Sequence, residues 1–278
     1  MSQPGPPQDA VSKLPVFQTV AEANAIVFGN LPSLAKAAAL PFALSLGIGF
    51  MAQGGSFSPA WGLLLSLLGL VPETYFGVAW HRFVLLGPSR AAPTSLPPLA
   101  PRHWRFLGYA AVMLMITGLP YLGMVTAMQP LGGIEGQPPP ELAAEVFSNM
   151  LPYLLLMIIA FVLILRFYFV FPAVAVDERY GLAESWRHTR GQALRLFLGQ
   201  LLLILPVAIL AYLIAALSMD AASGQPGLAA RIATTLFFYL GMGLAFAFVS
   251  LAFRKCTGWI PEEPAGPPGP AQMAEPEA

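Results

Sequence analysis

RFYFVFPAVAVDERYGLAESWRHTRGQALRLFLGQLLLIL, residues 166–205, ends one apolar run on an Arg and turns at Asp177-Glu178. It then carries a Trp186-Arg187-His188 triplet before starting a second apolar run. In a soluble protein such a triplet would suggest a catalytic or metal cluster. In a membrane protein it reads as a cytoplasmic boundary between two spans. Composition decides between them: of 278 residues, 56% are apolar and 10% charged, with a mean hydropathy of +0.67. Soluble domains carry about 25% charged residues, and a chain this apolar cannot hide its side chains in one aqueous core.

Working outward, six runs reach the roughly 20 apolar residues that a span needs: 31–53, 60–86, 106–127, 146–170, 196–217 and 232–253. Five contain a proline: Pro41, Pro72, Pro120, Pro152 and Pro206. Prolines are tolerated in lipid because neighbouring helices re-satisfy the freed carbonyls, and kinks are expected. Residues 1–30 lack the basic-then-apolar order of a cleavable signal peptide. The fourth apolar run continues past Arg166 to Val176, so the chain is expected to leave the membrane near Pro172. Thirteen of the fourteen Lys and Arg residues lie at the chain ends or at the second-to-third and fourth-to-fifth connections; only Arg231 lies on the other side. The positive-inside rule then puts both termini in the cytoplasm. The tails, 1–15 and 261–278, are rich in Pro, Gly, Gln and Glu and are expected to be disordered. The intervening 16–260 form one membrane domain, with 129–145 a polar external loop. The expected fold is all-α, a polytopic bundle of six transmembrane helices with amphipathic cytoplasmic interfacial helices.

The hairpin ends echo each other. Arg82-Phe83 and Arg166-Phe167 are each followed by a proline six residues after the Arg, at Pro88 and Pro172. Ala21-Glu22 leads to Gly29-Asn30 and Leu34 at the offsets by which Ala183-Glu184 leads to Gly191-Gln192 and Leu196. The pattern suggests parallel in–out–in hairpins, at least two preceded by an elbow helix. The clearest elbow, residues 182–197, puts Leu182, Trp186, Ala193 and Phe197 near one face. Glu184 stands four residues before His188, a favourable helical pair. A basic amphipathic helix of this kind lies flat at a membrane interface.

The same segment resembles a bacterial group of multi-pass membrane domains. The group includes the membrane domain fused to some glycerophosphodiester phosphodiesterases and stand-alone YciC-like proteins. The shared pattern is Arg166, Pro172, Asp177-Glu178, Ser185-Trp186 and Thr189-Arg190-Gly191. The resemblance implies a multi-pass inner-membrane protein; it does not imply an activity, since the hydrolase chemistry of the fused members lies in a separate soluble barrel.

Every histidine, His81, His103 and His188, stands beside a Trp and an Arg at the expected cytoplasmic boundary. A zinc site would need all three rings within about 2.1 Å of one ion, and no spacing in the sequence forces them together. Cys256 is the sole cysteine, so there is neither a disulfide nor a thiolate site. No Walker loop, GxGxxG or paired-carboxylate motif occurs. No cofactor, metal or nucleic acid is expected. Trp80, Arg82, Trp104, Arg166, Trp186, Arg187, Arg190 and Arg195 form a candidate collar for lipid head groups, anionic ones included: indole rings favour the interface and Arg stems snorkel.

Glu73, next to Pro72 near the middle of the second run, is the one deep carboxylate. An ionisable group there costs roughly 2.5–3.5 kcal/mol on insertion scales, so it faces the bundle or water. It reads either as a neutral donor to a carbonyl freed by a proline kink or as a proton or cation site. The expected function is a non-enzymatic, lipid-facing envelope or scaffold role in the inner membrane. The alternative is a small transporter or channel using Glu73. A polar route to Glu73 would favour transport, and a packed bundle the scaffold.

Overall fold

The structure, a computed structural model, describes residues 13–52, 59–91, 99–131, 139–218 and 227–261. The tail residues 1–12 and 262–278, expected to be disordered, and 132–138 of the expected external loop lie outside the described residues.

Among the described residues all regular secondary-structure elements are helical. In order these are α1 (Val16–Gly29), α2 (Leu31–Met51), α3 (Pro59–Leu86), α4 (Pro101–Met128), a 3-10 turn (Gln129–Leu131), α5 (Pro140–Phe167), α6 (Val170–Ala175), α7 (Leu182–His188), α8 (Ala193–Leu217) and α9 (Leu228–Thr257). The five prolines sit inside α2, α3, α4, α5 and α8, and each helix runs through its own. Five helices, α2, α4, α5, α8 and α9, are long and apolar enough to cross a membrane. The sixth expected span, α3, is as long as α4 and α5 at 28 residues but is not among the five.

The apolar surface divides sharply. In α9 61% of the most hydropathic window is buried, against 11–22% in the other four, so α9 is the central helix. It packs on α8, α1, α3 and α2. Small residues let the backbones approach, as in many membrane bundles: a Cβ on Gly199 of α8 would run into the Phe248 ring of α9. Leu119, Ile158 and Leu210 are among the large apolar side chains that α4, α5 and α8 leave exposed, as lipid-facing surfaces do.

α1 is the first elbow. It buries Val16, Thr19, Ala23 and Val27 along one stripe. Lys255 at the end of α9 pins it, bonding Glu22 at 2.8 Å and Thr19 Oγ1 at 3.3 Å.

The second elbow corrects the sequence expectation. Residues 182–197 are not one helix: α7 ends at His188 and α8 begins at Ala193. Gly191, with φ +73°, makes the turn between them, a conformation that costs glycine little. Glu184 and His188 interact through charge but are not directly bonded. Its carboxylate accepts the Gly181 N–H at 2.9 Å, while His188 Nδ1 bonds the Tyr180 hydroxyl at 3.0 Å. Bonds from the N–H groups of Glu184 itself and Gly181 hold the Glu184 carboxyl below its usual range.

After Arg166 the chain stays packed on the other helices past Pro172. α5 stops at Phe167, and α6 tucks back beneath α3, α4 and α9 with Val170, Ala173, Val174 and Ala175 fully buried. Asp177 then turns the chain outward at φ +67°.

Candidate functional site

The collar residues separate into groups. Arg166 is 8% exposed and acts as a clasp. Its Nη1 donates to the Thr189 carbonyl at 2.9 Å and its Nη2 to the Trp186 carbonyl at 2.7 Å. These are carbonyls at the end of α7, where helix termini lack internal partners. In return the hydroxyls of Ser185 and Thr189 donate to the Arg166 carbonyl at 2.8 and 2.9 Å. The Trp186 ring lies over the guanidinium, 4.2 Å from its carbon. The spacing Arg166…Ser185-Trp186-x-x-Thr189-x-Gly191 is therefore a joint locking α7 against α5.

Arg82 and Arg102 share the Asp177 carboxylate. Arg82 also donates to the Ala175 carbonyl at 2.9 Å, and Arg105 to the Glu178 carbonyl at 2.9 Å. The Glu178 carboxylate takes the Trp259 indole N–H at 2.7 Å. This network holds the acidic turn after α6 to α3 and α4. Trp104, Trp186, Arg187 and Arg190 are exposed, and Arg195 is half-buried and bonds Gln192 Oε1 at 3.4 Å.

Trp80 departs furthest from the collar expectation. It is fully buried, its indole N–H donates to the Gly243 carbonyl of α9 at 2.8 Å, and its ring stacks between Phe76 and Phe83. The spacing 76, 80, 83 puts all three rings on one face of α3, and that face meets α9.

The histidines do not converge. His103 Nδ1 accepts the Ala100 N–H at 3.1 Å at the start of α4, and His188 stacks on Tyr180. His81 is fully buried, with Nδ1 2.7 Å from Ser250 Oγ on α9. No group of three potential metal ligands occurs among the described residues.

His81 instead points to the site that the sequence underrated. Together with Glu73, Thr74 and Gln200 it lines a half-open pocket of about 280 Å³ between α3, α4, α8 and α9, with Tyr168 and Phe171 also in its lining. His81 Nε2, Thr74 Oγ1 and Gln200 Oε1 are buried there without a hydrogen-bond partner. Their residues are 0%, 3% and 5% exposed. Each orphaned polar group costs about 1–3 kcal/mol, so three around one void form a place prepared for a polar guest.

Glu73 also lines a second cavity, of about 380 Å³, with Ser45, Gly49, Gly69, Thr234 and Thr235. The two lie in opposite halves of the bundle. Ala110 in the first is nine residues from the start of α4, and Gly49 and Thr234 in the second are two and six residues from the far ends of α2 and α9. Glu73 is their shared wall. It makes no hydrogen bond or ion pair with another described residue, so the expected bond to a proline-freed carbonyl is not formed. Sequence reasoning missed Thr74 and Gln200. The available signals were a hydroxyl beside Glu73 and a lone amide within the apolar run LFLGQLLLIL at 196–205.

Long apolar helices around a central helix, with a carboxylate between two open pockets, define an α-helical membrane protein. The chain belongs to DUF7544, a family of unknown function whose model matches residues 90–257. No curated protein and no solved structure matches it.

Proposed function

We propose that this chain is a non-enzymatic, six-span protein of a bacterial inner membrane, with both termini cytoplasmic, that conducts or transports a small polar or cationic solute past Glu73. The carrying observation is the position of Glu73 between two cavities in opposite halves of the bundle. An intramembrane carboxylate with no internal partner is a functional-site signal by default. The cavity volumes, about 280 and 380 Å³, lie near the lower end of the roughly 300–1,000 Å³ usual for small-molecule sites. Counting α3 as the sixth span follows from its 28 residues and the thirteen-to-one Lys/Arg asymmetry. The likeness of residues 166–205 to the phosphodiesterase-fused and YciC-like membrane domains agrees with this placement but carries no substrate.

A lipid-facing scaffold is the second reading, favoured by the exposed Trp104, Trp186, Arg187 and Arg190.

A hydrophobic carbodiimide tests the first reading, because such reagents enter bilayers and couple to accessible protonated carboxyls. Treated in native membranes and mapped by peptide mass, the protein should carry the adduct on Glu73. Sodium or another transported cation should slow the coupling. A Glu73 that never reacts, while exposed Glu141 or Glu145 does, would mean that the cavities do not reach it.

A further inference from the structure

Two features on one side of the bundle fit a single ligand. The first is a cleft at the α5–α7–α8 junction lined by Arg166, Trp186, Arg187 and Arg190, with Val162 and Ala193 at its base. Three guanidinium groups share it, and no carboxylate lines it. The contrast with the other arginines at this end is direct, since Arg82 and Arg102 share Asp177. Glu184, the acid nearest in sequence, is turned back onto the Gly181 N–H. Arg166 is held rigid by the α7 carbonyls and the Trp186 ring, and its buried Nε has no partner. The cleft is thus a preorganised cluster of positive charge with no carboxylate in its lining; Glu184 acts on Arg187 only through charge at a distance, without an ion pair.

The second feature begins where the cleft stops. Val162 and Ala193 also line a groove of about 510 Å³ between α5 and α8, with Met157, Phe161, Leu194 and Phe197. Its lining is wholly apolar. It runs along the helices away from the cluster, over residues 157–165 of α5, the direction in which an acyl chain leaves a head group. An arginine cleft continuous with an apolar furrow has the shape and polarity of a phospholipid.

We propose that the α5–α7–α8 junction is a binding site for one anionic phospholipid. Its phosphate sits between Arg187 and Arg190 over the fixed charge of Arg166, and one acyl chain lies in the α5–α8 groove. Guanidinium groups bind phosphate oxygens with charge-assisted, often bidentate hydrogen bonds. The apolar groove separates a lipid from free phosphate or a soluble phosphoester, which would use the cleft alone. The site is independent of Glu73 and stands whether or not the protein transports anything.

The test is native mass spectrometry of the full chain in detergent, titrated with phosphatidylglycerol or phosphatidylcholine of equal chain length. The wild type should retain phosphatidylglycerol preferentially. The double change Arg187→Gln and Arg190→Gln affects exposed side chains outside the Arg166 clasp, so thermal stability should hold. Affinity for phosphatidylglycerol should fall about 30-fold for the pair, with phosphatidylcholine unchanged. Met157→Trp, filling the groove, should weaken phosphatidylglycerol while leaving the arginines intact. Glycerol 1-phosphate in excess should not displace the lipid. Equal retention of the two lipids by the wild type would overturn the proposal, as would undiminished phosphatidylglycerol on the arginine variant. Displacement by glycerol 1-phosphate would make the cleft a soluble-phosphate site and overturn it as well.

Discussion

Arg166→Met should be the most destabilising single change at the α5–α7 junction, costing on the order of 3 kcal/mol. Two hydrogen bonds from a charged donor are lost, each worth about 1.5–3 kcal/mol, together with the stacking of Trp186 on the guanidinium. Part of this is offset because a buried charge no longer has to be desolvated. What is left is a pair of α7 carbonyls with no donor. Arg166→Lys should recover only part of the loss, because an ammonium cannot span both carbonyls as the planar fork does. Thr189→Val, which removes one hydroxyl from the joint, should cost about 1 kcal/mol. Thermal denaturation in detergent, with limited proteolysis across 189–192, measures both effects. Wild-type stability and protease resistance in Arg166→Met would show that α7 is not held by this clasp.

Glu73→Gln should leave the protein folded and abolish solute movement. Gln keeps the shape of the side chain and can still donate a hydrogen bond, so a purely structural Glu73 would tolerate it. Glu73 makes no hydrogen bond or ion pair with another described residue that could be lost, and stability should therefore change by less than about 0.5 kcal/mol. A group that binds a cation or exchanges a proton cannot be replaced by an amide. In proteoliposomes holding a pH-sensitive dye, wild-type protein should couple cation gradients to proton movement and Glu73→Gln should not. Glu73→Asp, which keeps the acid but shortens its reach, should retain partial flux. Undiminished flux through a correctly folded Glu73→Gln protein would return Glu73 to a structural role and promote the scaffold reading.

The long helices were plain in the sequence, because roughly 20 consecutive apolar residues have few alternatives to crossing a bilayer. Proline positions, the α1 elbow and the Arg-rich connections were legible for the same reason: each leaves a local mark. What each helix face touches was not. In lipid the outside of a bundle is as apolar as its core, so an apolar stripe does not say which way it points. Trp80 therefore looked like an interface anchor, although it stacks in the core between Phe76 and Phe83. The break of the second elbow was marked by Gly191, but a glycine within an amphipathic pattern is compatible with either a turn or a continuous helix. The pocket was hidden because Gln200 lies far in sequence from Thr74 and His81, and the three line one space only when α3, α8 and α9 pack. Glu73 stood out alone, since a carboxylate at that depth needs a reason wherever its helix faces.

The central claim is that Glu73 separates two cavities that reach opposite faces of the membrane. It is tested most directly by side-specific thiol labelling in a Cys256→Ser background. Ala110→Cys reports the first cavity and Thr235→Cys the second. Ala110 lies roughly 13 Å along α4 from its start, and Thr235 roughly 10 Å along α9 from the opposite end. A membrane-impermeant cationic methanethiosulfonate should modify Ala110→Cys from the cytoplasmic face and Thr235→Cys from the external face, in sealed vesicles of each orientation. Modification of both from the same face, or of neither from either face, would contradict a route that meets at Glu73.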